Sequence, residues 1–314
     1  MNDSFFARLL AFKPIFFILL FYLIATQVAQ TLLYTVVAYL VSATDKTGSD
    51  FGNTVNEISS QYLLLAFALA ALLLSVTTWL ADRALYRQDP FWNSPLKPAW
   101  QLDRITKREL LRGLSSGAIA VLVYLFLFTL SGQLSFLGVY ITSTLGTPVF
   151  PLFFVDFAAL VVLVICEEFI FRHKIQKFLL GRLPAGLAIC ATTAAYLFVK
   201  NLQFQLTGLD CLNLVLVNLA LGFFYLKSGR SHRGLGFLLS LLCMLHPIAG
   251  LPLWETEGPS FFLFKPIGKG SELLAGLHGA PFSGLGLTSI LVMIVGGAYL
   301  TWKQDVAASY ARQN

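Results

Sequence analysis

The stretch DFAALVVLVICEEFIFRHKI, residues 156–175, places two adjacent carboxylates, Glu167 and Glu168, at the end of a long apolar run. An ionised carboxylate is costly in a bilayer unless it is paired, and a charge at this depth is usually functional. The fold therefore has to carry this apolar run through a membrane and neutralise both carboxylates within the protein.

The composition of the chain is that of an integral membrane protein. Of its 314 residues, 57% are hydrophobic and 12% are charged, and the mean hydropathy is +0.73. A soluble domain carries about twice this charged fraction, whereas several runs here exceed the roughly 18 apolar residues that indicate a spanning helix. The first run, 14–41, is too long for the apolar core of a signal peptide, so we expect it to be retained as a span.

The hydropathy pattern predicts an all-α, multi-pass transmembrane bundle of about eight spans. Lysine and arginine cluster in alternate connections, while 132–149 contains neither. By the positive-inside rule both termini are cytoplasmic, so the net charge of +6 reflects topology and does not indicate nucleic-acid binding. The predicted spans are 14–42, 60–82, 110–131, 150–171, 185–204, 211–227, 234–253 and 283–302.

The chain divides into three regions. Residues 1–149 hold three spans and a basic segment, 83–109, which is expected to lie on the cytoplasmic interface. Residues 150–255 form the core, and 256–314 hold an outer loop and the last span. In that loop the patch Phe261–Phe264 is expected to be an interfacial anchor, with dipping into the bilayer or covering a cavity as alternatives. The cysteines show no paired spacing and are interpreted as buried small hydrophobes: Cys166, Cys190, Cys211 and Cys243.

Ionisable side chains at membrane depth are predicted on three spans. They are Glu167 and Glu168 on the fourth, Lys200 on the fifth and His246 on the seventh. Counting 1.5 Å per residue from the cytoplasmic turns places Glu167, Lys200 and His246 about 18–24 Å from the cytoplasmic ends. We therefore expect one shared site that contains a carboxylate, an ammonium and an imidazole.

Helical spacing suggests different roles for the two glutamates. Glu168 and Arg172 are four residues apart, which favours an ion pair on one face. Glu167 points about 100° away and is expected to be left free for the bundle centre. The alternative is a buried charge network that only locks the helices together.

These residues resemble the CPBP family, the intramembrane endopeptidases of the CAAX-protease and bacteriocin-processing (Abi-like) type. The family pattern is E-E-x-x-x-R on one span, F-x-x-x-H on the next, and H-x-x-x-N/D two spans later. EEFIFR (167–172) matches the first motif, LGFFYLKSG (221–229) resembles the span before the last motif, and LHPIAG (245–250) supplies the histidine of the third motif. The resemblance covers about residues 150–255.

The resemblance implies eight helices around a cavity that is open to the cytoplasm. It implies that Glu167 activates a water for attack on a peptide carbonyl, that Glu168 pairs with Arg172, and that His246 positions groups nearby. The implied partners are a peptide or membrane-protein substrate and membrane lipids, with no nucleic acid, in the cytoplasmic membrane of a bacterium. The metal requirement of the family is disputed.

Two positions depart from the family pattern. Aligning Thr192–Thr193 with the usual small hydroxyl pair puts Tyr196 at the phenylalanine and Lys200 at the histidine of the second motif. Asn201 is then one residue out of register. In the third motif, Gly250 stands where an asparagine or aspartate is usual.

These departures disfavour zinc. A zinc site with two histidines and one glutamate needs three protein ligands, and only Glu167 and His246 qualify. His173 and His232 lie in basic cytoplasmic segments and His278 lies in the outer loop. We therefore expect no metal and no other cofactor.

Three functions are compatible with these residues. In a metal-free peptidase, Lys200 would stabilise the developing oxyanion. In a pseudoenzyme, Lys200 would neutralise Glu167, because a neighbouring cation makes a carboxylate a poorer base, and the fold would serve as a scaffold or binding protein. A proton-relay transporter is less favoured, since no inverted repeat is visible.

The peptidase hypothesis places catalysis on Glu167, Glu168, Arg172, Lys200 and His246. We favour it narrowly, because a scaffold has little physical reason to keep a second carboxylate in the bilayer. A contact below about 4 Å between Lys200 and Glu167, with no cavity beside it, would favour the pseudoenzyme instead.

Overall fold

The chain folds as a multi-pass helical membrane bundle, which confirms the predicted fold class. The structure, a computed structural model, describes residues 12–43, 49–85, 104–139, 149–204, 206–253, 259–267, 271–276 and 280–311. Its helices are α1 (Lys13–Ser42), α2 (Ser49–Leu85), α3 (Arg104–Leu130), α4 (Val149–Glu168), α5 (Lys177–Leu180), α6 (Ala185–Gln203), α7 (Gly208–Ser228), α8 (His232–Cys243), α9 (Ser271–Ala275) and α10 (Leu285–Ala311).

Within the described ranges, six helices are long and apolar enough to cross a membrane, namely α1, α2, α3, α6, α7 and α10. The predicted fourth span is α4, which continues through a π-helical segment, Phe169–Gln176, into α5. The predicted seventh span is α8 with a π-helical turn, Met244–Ile248. That span is shorter than predicted because the chain turns at Gly250, where φ is +71°.

Helices α3 and α8 pack with their backbones unusually close. A Cβ added at Gly117 would lie 2.5 Å from the carbonyl oxygen of Phe237, and one added at Gly236 would overlap the carbonyl of Leu110. Small residues at such a crossing allow the close approach that holds transmembrane helices together. This contact fixes α8 beside α4, with Gly234 facing Glu168.

Helix α1 lies at the edge of the bundle. In its most apolar stretch of 18 residues only 11% is buried, whereas the corresponding stretches of the other five candidate spans are 28–56% buried. Toward the core it buries Ile18, Tyr22 and Thr26, which are spaced four residues apart on one stripe. A groove of about 630 Å³ runs between α1 and α2, lined by side chains from Phe21 to Val36 on α1.

A small antiparallel sheet covers the C-terminal end of the seventh span. Strand β1 (Leu134–Val139) pairs with β2 (Phe262–Pro266), an arrangement that the sequence did not predict. The backbone N–H of Phe261 donates to the carbonyl of Pro247 at 2.8 Å. The predicted interfacial anchor is therefore half of a sheet that lies on the turn after α8.

Some sequence predictions fall outside the described residues. These are most of the interfacial segment, 86–103, and the outer-loop ranges 254–258, 268–270 and 277–279, the last of which contains His278. The prediction of buried cysteines holds for Cys166 and Cys243 and is wrong for Cys190, which is exposed on the outside of α6.

Candidate functional site

The carboxylate of Glu167 is held by three donors from two other helices. On Oε1, the hydroxyl of Tyr22 donates at 2.9 Å and the ammonium of Lys200 lies at 2.6 Å. On Oε2, the hydroxyl of Tyr196 donates at 3.0 Å. The side chain is 3% exposed, so this is a buried and strongly hydrogen-bonded carboxylate. The expectation that Glu167 is left free is wrong.

Lys200 reaches Glu167 because it lies four residues after Tyr196 on one face of α6. Its ammonium is also 5.6 Å from the ring centroid of Tyr196 and 5.5 Å from that of Phe204, within the range of cation–π contact. Its side chain is 1% exposed. Asn201, the alternative candidate of the second motif, is exposed on the other side of the helix.

Glu168 pairs with Arg172, as their spacing predicts. The Nε of Arg172 lies 3.6 Å from Oε1 of Glu168, with both side chains buried. The guanidinium also donates to Oδ1 of Asn218 on α7 and, at 3.3 Å, to Oε1 of Gln176. Arg172 therefore joins the fourth span to α7 as well as neutralising Glu168.

The second oxygen of Glu168 differs from every oxygen of Glu167. Its Oε2 is buried and has no hydrogen-bond partner among the described residues. It faces Gly234, where an added Cβ would lie 3.4 Å away. Buried polar atoms are rarely left in this state without a bound water or a chemical role. Of the two glutamates, only Glu168 therefore has an oxygen that accepts no hydrogen bond from the described residues.

His246 does not join this cluster. Its Nε2 lies 3.1 Å from Oδ2 of Asp156, and its Nδ1 lies 3.2 Å from the carbonyl of Leu251, to which it donates as an N–H. Asp156 precedes Glu167 by 11 residues on the same face of α4, which is about 16 Å along the axis. The prediction of one shared level is therefore wrong, and the structure has a second buried pair near the N-terminal end of α4.

The predicted level is wrong because α8 does not begin at the level of the turns near Gly181 and Pro184. It begins at His232, and Gly234 already lies at the depth of Glu168. His246 is 12 residues after Gly234, or about 18 Å further along the axis. Gly250 lies beyond it in a turn, where an added Cβ would be 2.5 Å from the carbonyl of Phe262. An asparagine or aspartate would not fit there.

Sequence reasoning missed Asp156, Tyr22, Tyr196, Asn218 and Gln176 as parts of these networks. Asp156 opens an apolar run and Asn218 interrupts one. Polar side chains within spans mark interior-facing positions, so both were detectable. The tyrosines gave no such signal, because tyrosine is common in spans and at interfaces.

The groups around Glu167 do not suit a metal ion. Its oxygens face an ammonium and two hydroxyl donors, whereas a divalent cation needs several electron-pair donors and no cation at contact distance. Among the described residues there is no group of three histidine, cysteine or acidic side chains that could hold a metal. The chemistry available is charge neutralisation and hydrogen bonding.

Comparison with protein families gives one match. Residues 147–246 match the family described as type II CAAX prenyl endopeptidase, Rce1-like. The match covers about a third of the chain and includes the fourth to seventh spans, so it confirms the predicted CPBP resemblance over these residues. No curated protein and no solved structure matches the chain.

Proposed function

We propose that the chain, whose residues 147–246 match the type II CAAX prenyl endopeptidase family, Rce1-like, is a member whose glutamate site binds but does not hydrolyse. It would recognise membrane-embedded peptide segments of client proteins and act as a scaffold or binding protein. The single observation that carries this proposal is the 2.6 Å contact between Lys200 and Glu167.

Three features of Glu167 oppose a role as general base. Its two oxygens already face the Lys200 ammonium and two hydroxyl donors, so neither oxygen is free of a donor. A general base must also reach a water at hydrogen-bond distance, but this side chain is 3% exposed. The lining of the groove between α1 and α2 includes neither Glu167 nor Lys200.

Buried charge pairs join three of the spans, and this supports a binding role. The fourth, fifth and seventh spans are joined through Glu167–Lys200 and Asp156–His246. Such buried pairs confer geometric specificity more readily than stability. We propose a location in the cytoplasmic membrane of a bacterium, with both termini in the cytoplasm and no zinc bound.

A second candidate is a metal-free peptidase, which the free oxygen of Glu168 favours. Oε2 of Glu168 is a buried acceptor that has no hydrogen-bond partner among the described residues. This candidate requires a water to reach the side chain, which is 5% exposed. Lys200 would then stabilise the negative charge that develops on the substrate, rather than only neutralise Glu167. This candidate predicts that Glu168→Gln abolishes peptidase activity.

The test is a fluorogenic peptide library assayed on the purified protein in proteoliposomes. The binding proposal expects no cleavage above that of the Glu167→Gln/Glu168→Gln double variant. Cleavage by the wild type that the double variant lacks would overturn the proposal. In that case, the two single variants identify which carboxylate is the base.

A further inference from the structure

The second buried pair, Asp156 and His246, connects α4 to the π-helical turn that ends the seventh span. Nε2 of His246 lies 3.1 Å from Oδ2 of Asp156, and the side chains of His246 and Asp156 are 3% and 6% exposed. Both atoms are buried, and neither has a hydrogen bond of good geometry among the described residues. The contact is therefore held by charge, and its strength depends on the protons that the two groups carry.

The number of protons in this pair follows from the other contact of the imidazole. Nδ1 of His246 lies 3.2 Å from the carbonyl oxygen of Leu251, and because a carbonyl oxygen only accepts, Nδ1 carries a proton. In a neutral imidazole, Nε2 is then an unprotonated acceptor, which a carboxylate oxygen at contact distance repels. The contact with Asp156 therefore requires one more proton, either on Nε2 or on the carboxyl group.

The turn that follows His246 carries strand β2. The carbonyl of Pro247 accepts from the backbone N–H of Phe261 at 2.8 Å, and the carbonyl of Ala249 accepts from that of Phe264 at 3.2 Å. The turn thus holds β2 through its backbone, while His246 holds the turn to α4 through its side chain. Loss of the extra proton leaves a buried carboxylate against an acceptor, which is costly, and separation of the turn from α4 relieves this repulsion.

From this proton count we propose that the Asp156–His246 pair is a proton-dependent latch for the C-terminal end of the seventh span. With the proton bound, the latch holds the π-helical turn and β2 against α4. When the proton is lost, the turn and β2 separate from α4. The inference goes beyond the proposed binding function and does not depend on it, because Asp156 lies about 16 Å from Glu167 along α4.

Other titratable side chains lie on the elements that pack around this pair. Toward this end of the bundle, the described ones are Glu57 on α2, Tyr124 on α3, Asp210 on α7, Cys243 on α8 and Lys265 on β2. Glu57 and Lys265 are exposed, and the hydroxyl of Tyr124 donates to a backbone carbonyl. Asp210 accepts from the hydroxyl of Ser283 at 2.8 Å. Cys243 is buried and interacts electrostatically with Asp156, so this thiol supplies the matched control.

The test is backbone amide hydrogen exchange, measured by mass spectrometry on the purified protein in nanodiscs from about pH 5 to about pH 8, the range in which histidine changes its charge. The measured quantity is the exchange rate around His246 divided by the rate in 285–298 of α10. That reference stretch contains no ionisable side chain, so the ratio cancels the intrinsic pH dependence of exchange. We expect the wild-type ratio to rise at least about tenfold with pH, the factor that corresponds to one lost interaction with a charged group.

Two variants separate proton binding from a purely structural contact. His246→Gln places an amide N–H near the position of Nε2 and donates to Asp156 without an added proton, so its ratio should stay low at every pH. Asp156→Asn removes the carboxylate, so its ratio should be high already at low pH and should not change as the pH increases. Cys243→Ala should keep the pH-dependent rise of the wild type.

A wild-type ratio that is independent of pH would overturn the inference, as would a rise that persists in Asp156→Asn or in His246→Gln. A rise that disappears in Cys243→Ala would assign the pH dependence to the thiol and would also contradict the latch. If one of the variants at the pair does not fold, the wild type, Cys243→Ala and the remaining variant decide between these outcomes.

Discussion

Replacing Lys200 with methionine should destabilise the protein by about 3–5 kcal/mol, the usual cost of leaving a buried charge without its partner. The 2.6 Å contact with Glu167 is lost, while the hydroxyls of Tyr22 and Tyr196 stay in place. These two hydrogen bonds exist in both proteins and do not offset the loss. Methionine is similar in length to lysine, so the packing of this side chain against Phe204 is kept.

The measurement is a double-mutant cycle on unfolding by sodium dodecyl sulfate in mixed micelles. Glu167→Gln removes the other charge and keeps an acceptor for one hydroxyl. The double variant should be less destabilised than the sum of the two single variants, by a coupling energy of about 3 kcal/mol, the upper end of the range for residues in contact. The surface control is Lys227→Met, whose partner Asp305 is 58% exposed at 3.1 Å, and its cost should be below about 1 kcal/mol.

Two results would refute this reasoning. One is a Lys200→Met variant within about 0.5 kcal/mol of the wild type, the range of an ordinary surface substitution. The other is additivity of the two substitutions, which would mean that the ammonium and the carboxylate do not interact in the folded protein.

Asn218→Leu should cost about 1.5–3 kcal/mol, because Arg172 loses a charge-assisted hydrogen bond; stability equal to the wild type in the same titration would contradict the contact. Asp156→Asn should destabilise the seventh span, because it leaves His246 opposite a neutral amide. Backbone amide hydrogen exchange around His246 should then accelerate, while exchange near Glu168 should not change. Gly117→Leu should disrupt the crossing of α3 and α8 and lower the melting temperature, and an unchanged value would rule out the close packing. Purified protein should hold no stoichiometric zinc by elemental analysis, and about one zinc per chain would contradict the donor arrangement around the site.

Much of the fold could be predicted from the sequence, because the bilayer imposes strict length and hydropathy on each span. The ends of the spans are harder to predict. The start of the seventh span is predicted to within two residues, since α8 begins at His232, but its depth is not, because a helix in the bundle can begin below the membrane surface. The strand Phe262–Pro266 was missed because its partner lies more than a hundred residues earlier in the chain, and period-2 patterns are short-range signals.

The candidate site was predictable where its residues share one helix. The spacing of Glu168 and Arg172 predicts an ion pair, and the structure contains this ion pair. Contacts between helices depend on rotation and depth, which a single sequence does not encode locally. That is why Lys200 was placed correctly beside Glu167 while His246 was placed about 16 Å from its actual partner.

The distribution of charge along the fourth span has a consequence for how the chain enters the membrane. Asp156, Glu167, Glu168 and Arg172 each oppose insertion. A charge near the centre of a helix costs about 2.5–3.5 kcal/mol at the translocon, while a leucine returns only about 0.5 kcal/mol. The groups that neutralise Glu167 and Asp156 lie on α6 and on the seventh span, which are synthesised later. The fourth span should therefore stay at the translocon until those helices emerge. Integration is then a joint step of three spans rather than a series of independent insertions.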